Sequence, residues 1–197
     1  MKDHDADVVR ETAPRYGEGD NRLTYDDYLR APAGLRYELV EGELRMVPSP
    51  SVTHQDISMR LERMLLEHLQ DRGLGKVLHA PCDVVLSHHN VVQPDVFFVS
   101  KDRLGIIGKE NVKGAPDLVI EILSESTKDW DQVSKRSVYS LYGVREYWIV
   151  DPDARTIEVA TRRKNKLETV GVYSAGETVL SVILPDLRVD VDPLFAE

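Results

Sequence analysis

The chain has 197 residues, 42% of them hydrophobic and 30% charged, with a net charge of −9. That length suits one domain with a sizeable core, and no apolar run approaches the roughly 20 residues that a membrane-spanning helix needs. The acidic balance argues against a protein that coats nucleic acid through many Lys and Arg contacts to phosphate, yet it leaves room for contact with phosphate through a metal, because a bound cation reverses the field of the acids that hold it.

Residues 1–21 hold many Asp, Glu, Gly and Arg and few apolar side chains, which predicts a flexible N-terminal arm ahead of one domain over 22–197. The arm lacks the apolar centre of a signal peptide. With the single cysteine, Cys82, this points to a cytoplasmic protein. Thr24 followed by Asp27 predicts a short capped helix, closed by Pro32 and Gly34. Tyr37–Leu44 reads as a β-hairpin turning at Glu41-Gly42. Ser51 or Thr53 caps the next helix, where Ile57, Leu61, Met64, Leu65 and Leu69 keep a 3.6-residue period up to Gly73.

Apolar clusters from Val77 to Val99 predict three strands, with His88, His89 and Asn90 forming a turn between two of them. A charged loop spans 101–116. The segment 117–123 is almost wholly apolar, as in a central strand buried on both faces. A helix is expected from about Asp129 to Tyr142, ended by Gly143, followed by strands near 147–150, 156–161, 168–173 and 178–183. This order, hairpin, helix, strands, helix, strands, predicts an α/β (α+β) fold: a mixed β-sheet flanked by helices.

Two carboxylates stand out. Asp95 opens the strand Gln93-Pro94-Asp95-Val96-Phe97-Phe98-Val99. Glu121 lies inside Leu118-Val119-Ile120-Glu121-Ile122-Leu123, on the face of Val119 and Leu123 rather than that of Leu118, Ile120 and Ile122. An ionised group in such a strand is costly unless it is paired or binds metal. If both strands share a sheet, Asp95, Glu121 and the Ile122 carbonyl offer hard oxygen ligands of the kind that hold Mg2+ or Mn2+. Lys135 follows Glu121 by fourteen positions. A lysine beside such a site would stabilise developing charge or orient a water, and Asp131 shares its helix face.

The remaining polar residues have plainer readings. Glu38 fits a hairpin surface charge or a site acid equally well. His54 begins a helix, where capping or packing is common, with a place in the site as the alternative. Gln93 lies beside Asp95. Cys82 reads as a small buried residue, and Tyr139, Tyr142, Tyr147 and Trp148 read as core or interface aromatics. The Arg162-Arg163-Lys164 run with Lys166 reads as a solvated turn. No zinc-ligand spacing, hydrolase elbow or P-loop is present.

Taken in order, QPDVFFVS, GAPDLVIEILSEST, the later lysine and YGVREYWIVDP resemble the Uma-type family of endonucleases in the PD-(D/E)XK restriction-endonuclease-like superfamily. The YELVEGEL hairpin and the His54 helix match the same pattern, so the likeness spans about 22–190. It implies a restriction-endonuclease-like fold with an N-terminal hairpin and a metal-dependent endonuclease that hydrolyses DNA phosphodiester bonds. Asp95 is then the motif Asp and Glu121 the second acid. The superfamily lysine, due two residues later where Leu123 stands, is moved to Lys135, and Glu38 matches a further family acid. The implied cofactor is Mg2+ or Mn2+, the substrate DNA, and the assembly a homodimer. The alternatives are an inactive member serving as a binding or assembly module, favoured by the acidic balance and the aromatic segment 139–148, and a hydrolase of small phosphorylated substrates.

Overall fold

The protein's structure, a computed structural model, describes residues 22–125 and 130–196. The arm expected over 1–21 and the helix start expected at Asp129 lie outside these residues. Thr24 caps α1 (Tyr25–Tyr28) in a full capping box with Asp27. The hairpin is β1 (Arg36–Val40) and β2 (Glu43–Val47). Glu41 and Gly42 both take positive φ, 54° and 82°, which matches the right-handed twist of the flanking strands. Ser51 caps α2 (Val52–Leu69), whose Ile57, Leu61 and Leu65 are buried.

Four strands follow where three are expected: β3 (Gly75–His79), β4 (Val84–Ser87), β5 (Asn90–Val92) and β6 (Val96–Ser100). Pro94 divides the last two, because proline brings no amide to a ladder. The loop after β6 holds a 3-10 turn (Lys101–Ile106) and the two-residue β7 (Val112–Lys113). Then comes β8 (Leu118–Ile122), every residue of which is buried. A wide π-type turn (Trp130–Lys135) runs into α3 (Arg136–Tyr142), which Gly143 ends with φ 97°, a left-handed cap that glycine adopts without Cβ strain. The chain closes with β9 (Glu146–Asp151), β10 (Thr156–Arg163), β11 (Lys166–Tyr173), β12 (Thr178–Leu180), β13 (Arg188–Asp190) and α4 (Val191–Leu194). The Arg162-Arg163-Lys164 run lies at the β10–β11 turn, where Lys164 and Asn165 take positive φ.

Not one but two main sheets form. The larger has the order β11-β10-β9-β8-β6-β3, the smaller β2-β1-β5-β4-β7, and β12 pairs with β13 apart from both. The hairpin therefore belongs to the smaller sheet. In the larger, β8 runs antiparallel to β6 and parallel to β9. The alternation of β8 sorts its side chains into two cores. Leu118, Ile120 and Ile122 pack with Phe98 and with Ile57, Leu61 and Leu65 of α2. Val119 and Leu123 pack with Phe97, with Val138 and Tyr139 of α3, and with Val40, Val84 and Val92 of the smaller sheet. The larger sheet is thus the middle layer, with α2 on one side and α3 plus the smaller sheet on the other. No helix among the described residues is long and apolar enough to cross a membrane.

The far end of β8 is pinned by a different acid. Asp117 accepts from the Ser100 amide at 2.8 Å and from Arg103 at 2.9 Å. Burial alone would raise its pKa, but these donors outweigh it and hold the carboxyl below its usual value. A depressed folded-state pKa supplies stability above the unfolded value of about 3.9, and that stability is lost as pH falls through the folded value. Asp117→Asn should therefore cost roughly 1.5–3 kcal/mol at pH 7. The gap to wild type in urea melts should close as pH drops below about 4.

Candidate active site

β6 and β8 are neighbours, with Val96 opposite Ile120. One residue before Val96 and one after Ile120, Asp95 and Glu121 come side by side at the same end of the sheet. The Ile122 amide donates to Asp95 Oδ2 at 2.8 Å and ties the two strands there. Glu121 is only 2% exposed and, by the alternation of β8, projects toward α3.

From α3's side comes Lys135, itself 4% exposed. Its Nζ lies 2.9 Å from Glu38 Oε1, 3.1 Å from Glu121 Oε1 and 3.0 Å from Asp131 Oδ1. Lys135, fourteen positions after Glu121 in the chain, thus stands directly against it. Glu38 arrives from β1 of the smaller sheet and is buried, so it is a member of the cluster and not a surface charge. Its Oε1 also accepts from the Gln93 amide at 2.8 Å, and its Oε2 from Trp130 Nε1 at 3.3 Å. Asp131, Lys135 and Tyr139 follow one another at four-residue steps. The Tyr139 hydroxyl donates to Glu121 Oε1 at 2.5 Å. On the other side, His54 of α2 places Nε2 3.1 Å from Asp95 Oδ2.

The charges are unbalanced. Four carboxylates, Glu38, Asp95, Glu121 and Asp131, bear on one buried ammonium. Burial works against that ammonium, yet the four acids outweigh it and hold the Lys135 pKa well above normal. Burial pushes Glu121 well above the usual carboxylate range, and Asp131, Asp95 and Glu38 add to the push against Lys135. Glu38 is raised too, burial prevailing over Lys135 and the Gln93 amide.

These groups border a cleft of about 450 Å³, lined by Asp95, Glu121, Ile122 and Lys135 among others. Among the described residues, no three His, Cys, Asp or Glu side chains group as ligands for one metal. Lys135 occupies the point on which Glu38, Glu121 and Asp131 converge. The smaller donor set of Asp95, Glu121 and the Ile122 carbonyl remains. Hard oxygens in a surplus of negative charge suit Mg2+ or Mn2+, which often take one or two carboxylates and complete their shells with water and phosphate.

Sequence reasoning missed the Tyr139 hydroxyl, the Trp130 indole and the His54 ring as partners of the acids. The four-residue step from Asp131 to Lys135, carried once more, reaches Tyr139. No comparable signal marks Trp130 or links His54 to Asp95. Tyr139, Tyr147 and Trp148 are fully buried, so these three are core, while Tyr142 is only partly buried.

The model of the Uma2 family, described as "Putative restriction endonuclease", matches residues 25–192. The crystal structure of "a putative nuclease belonging to DUF820" from Anabaena variabilis superposes with a TM-score of 0.74 at 20% identity, over 88% of this chain and 97% of that one. At that identity the likeness is one of fold. No curated protein matches the sequence.

Removing the ammonium should expose what it offsets. Lys135→Met leaves Glu38, Glu121 and Asp131 buried without their cation, and chemical denaturation should read a loss of about 3–5 kcal/mol at pH 7.

Proposed function

Because the chain belongs to the Uma2 family of restriction-endonuclease-like proteins, we propose that it is an endonuclease that uses Mg2+ or Mn2+ to hydrolyse DNA phosphodiester bonds in the cleft between Asp95, Glu121 and Lys135. The observation that carries this reading is the surplus of buried carboxylate around Lys135 beside the adjacent pair Asp95 and Glu121. Such a surplus is expensive for a fold to keep and is repaid when a divalent cation enters.

Asp95, Glu121 and the Ile122 carbonyl would hold the cation, which supplies Lewis acidity toward a phosphate oxygen when bound. The rest falls to the chain. Lys135 stays an ammonium, so it can stabilise charge that develops on phosphate. Asp131 and Glu38 keep that ammonium in one place. Tyr139 restrains Glu121 through Oε1. Trp130 and the Gln93 amide restrain Glu38. Each acting group is thereby held by a second one, the arrangement that precise placement of reacting groups requires. Two such clefts in a homodimer would let both strands of a duplex be cut in one encounter. The lone cysteine fits a reducing cytoplasm.

Purified wild type should bind Mn2+ by calorimetry and nick plasmid DNA only with Mg2+ or Mn2+ present. Asp95→Asn and Glu121→Gln should each lower cleavage by more than about 100-fold, beyond the loss that an outer contact produces, while thermal melts show a folded protein. Metal binding with no cleavage of any DNA form would shift the assignment to a non-catalytic binding module. No metal binding at millimolar concentration would sink the metal site itself.

A further inference from the structure

We infer that His54 is a positioning residue for this site: it holds the Asp95 carboxylate so that Oδ1, and not Oδ2, is the oxygen presented to a cation. The inference rests on the reading of Asp95 as a metal ligand. His54 sits in the first turn of α2, and its backbone amide already serves the helix cap by donating to Ser51 Oγ at 3.1 Å. Capping therefore leaves the imidazole unused. The ring reaches Asp95 from the layer opposite that of Lys135, with Nε2 3.1 Å from Oδ2. The Ile122 amide donates to that same oxygen at 2.8 Å. Two donors on one carboxylate oxygen commit its lone pairs, and neither bond touches Oδ1.

The other ring nitrogen sharpens the point. Among the described residues, no hydrogen-bond partner faces the buried His54 Nδ1. A ring kept for packing would be replaced at no loss by an apolar side chain, since an unpaired buried nitrogen is costly. The ring's polar contacts are the Asp95 carboxylate and the Ile122 backbone, both at the proposed ligand set, so holding that end of the site is what the imidazole adds. Donation to a carboxylate requires hydrogen on Nε2. Groups that hold a metal ligand from behind in this way commonly govern affinity for the ion.

The test compares His54→Leu, which fills the space without a donor, with His54→Gln, which returns an N–H at similar reach. Calorimetry with Mn2+ should show the dissociation constant of His54→Leu raised about 10–100-fold, with His54→Gln recovering most of the loss. The Mn2+ concentration for half-maximal DNA cleavage should move in parallel. In metal-free wild type, nitrogen NMR should report hydrogen on His54 Nε2, and Asp95→Asn should shift that signal. If His54→Leu folds and binds Mn2+ within about twofold of wild type, where outer contacts of this kind cost tenfold or more, the inference is overturned while the metal site stands. If His54→Leu does not fold, the NMR comparison decides alone, and an unmoved His54 signal in Asp95→Asn overturns it. Wild type that takes up no Mn2+ overturns both this inference and the reading beneath it.

Discussion

The ammonium of Lys135 is bonded to acids from three separate parts of the chain, and the two main sheets and the helix after β8 meet through it. Glu38 comes from the smaller sheet, Glu121 from the larger, and Asp131 from the turn that leads into α3. Each of these carboxylates is buried, and each would carry a heavy desolvation cost without a partner. The smaller sheet brings Val40, Val84, Val92 and Val112 to one of the two cores, and its docking also places Glu38 against the lysine. Trp130 and Gln93 then bond the remaining acceptors of Glu38, so the cluster is enclosed by its own hydrogen bonds.

One ammonium does not neutralise four acids. A fold selected for stability alone would replace a buried ionic cluster of this kind with apolar side chains of similar volume, often without loss. The comparison within the molecule is instructive. Asp117 has Arg103 and Arg145 facing it and a depressed pKa. Glu121 has one lysine shared with two other acids and a raised pKa. Both acids flank or lie in the same strand. The first is charge-balanced and structural. The second carries the excess, and it borders the cleft.

Much of this was legible in the sequence. The capping box at Thr24, the hairpin turn at Glu41-Gly42, the buried face of α2 and the double burial of β8 follow from local chemistry and periodicity. The two-face sorting of Leu118–Leu123 was readable because strand alternation needs no tertiary knowledge. The split into two sheets was not, since pairing partners are set by contacts distant in sequence. The elements β13 and α4 escaped because three or four residues show no period. Within the site, Asp95, Glu121 and Lys135 were named from the sequence, with the lysine's place resting on family likeness. The structure brings them together with Glu38. The tie from His54 to Asp95 joins residues 41 positions apart on different elements, and no local pattern encodes such a contact.

The site is gathered from a long stretch of chain. Glu38 is made early, whereas Lys135 and Tyr139 lie some hundred positions later. A polypeptide still being translated holds Glu38 well before it holds the lysine that lets the acids be buried together, while Glu121 precedes that lysine by fourteen positions. Until that lysine leaves the ribosome, Glu38 and Glu121 have no reason to leave water, and the two sheets have no ionic tie to close on. Whatever chemistry the assembled cleft performs is thus withheld from the nascent chain and begins only after most of the protein has been synthesised.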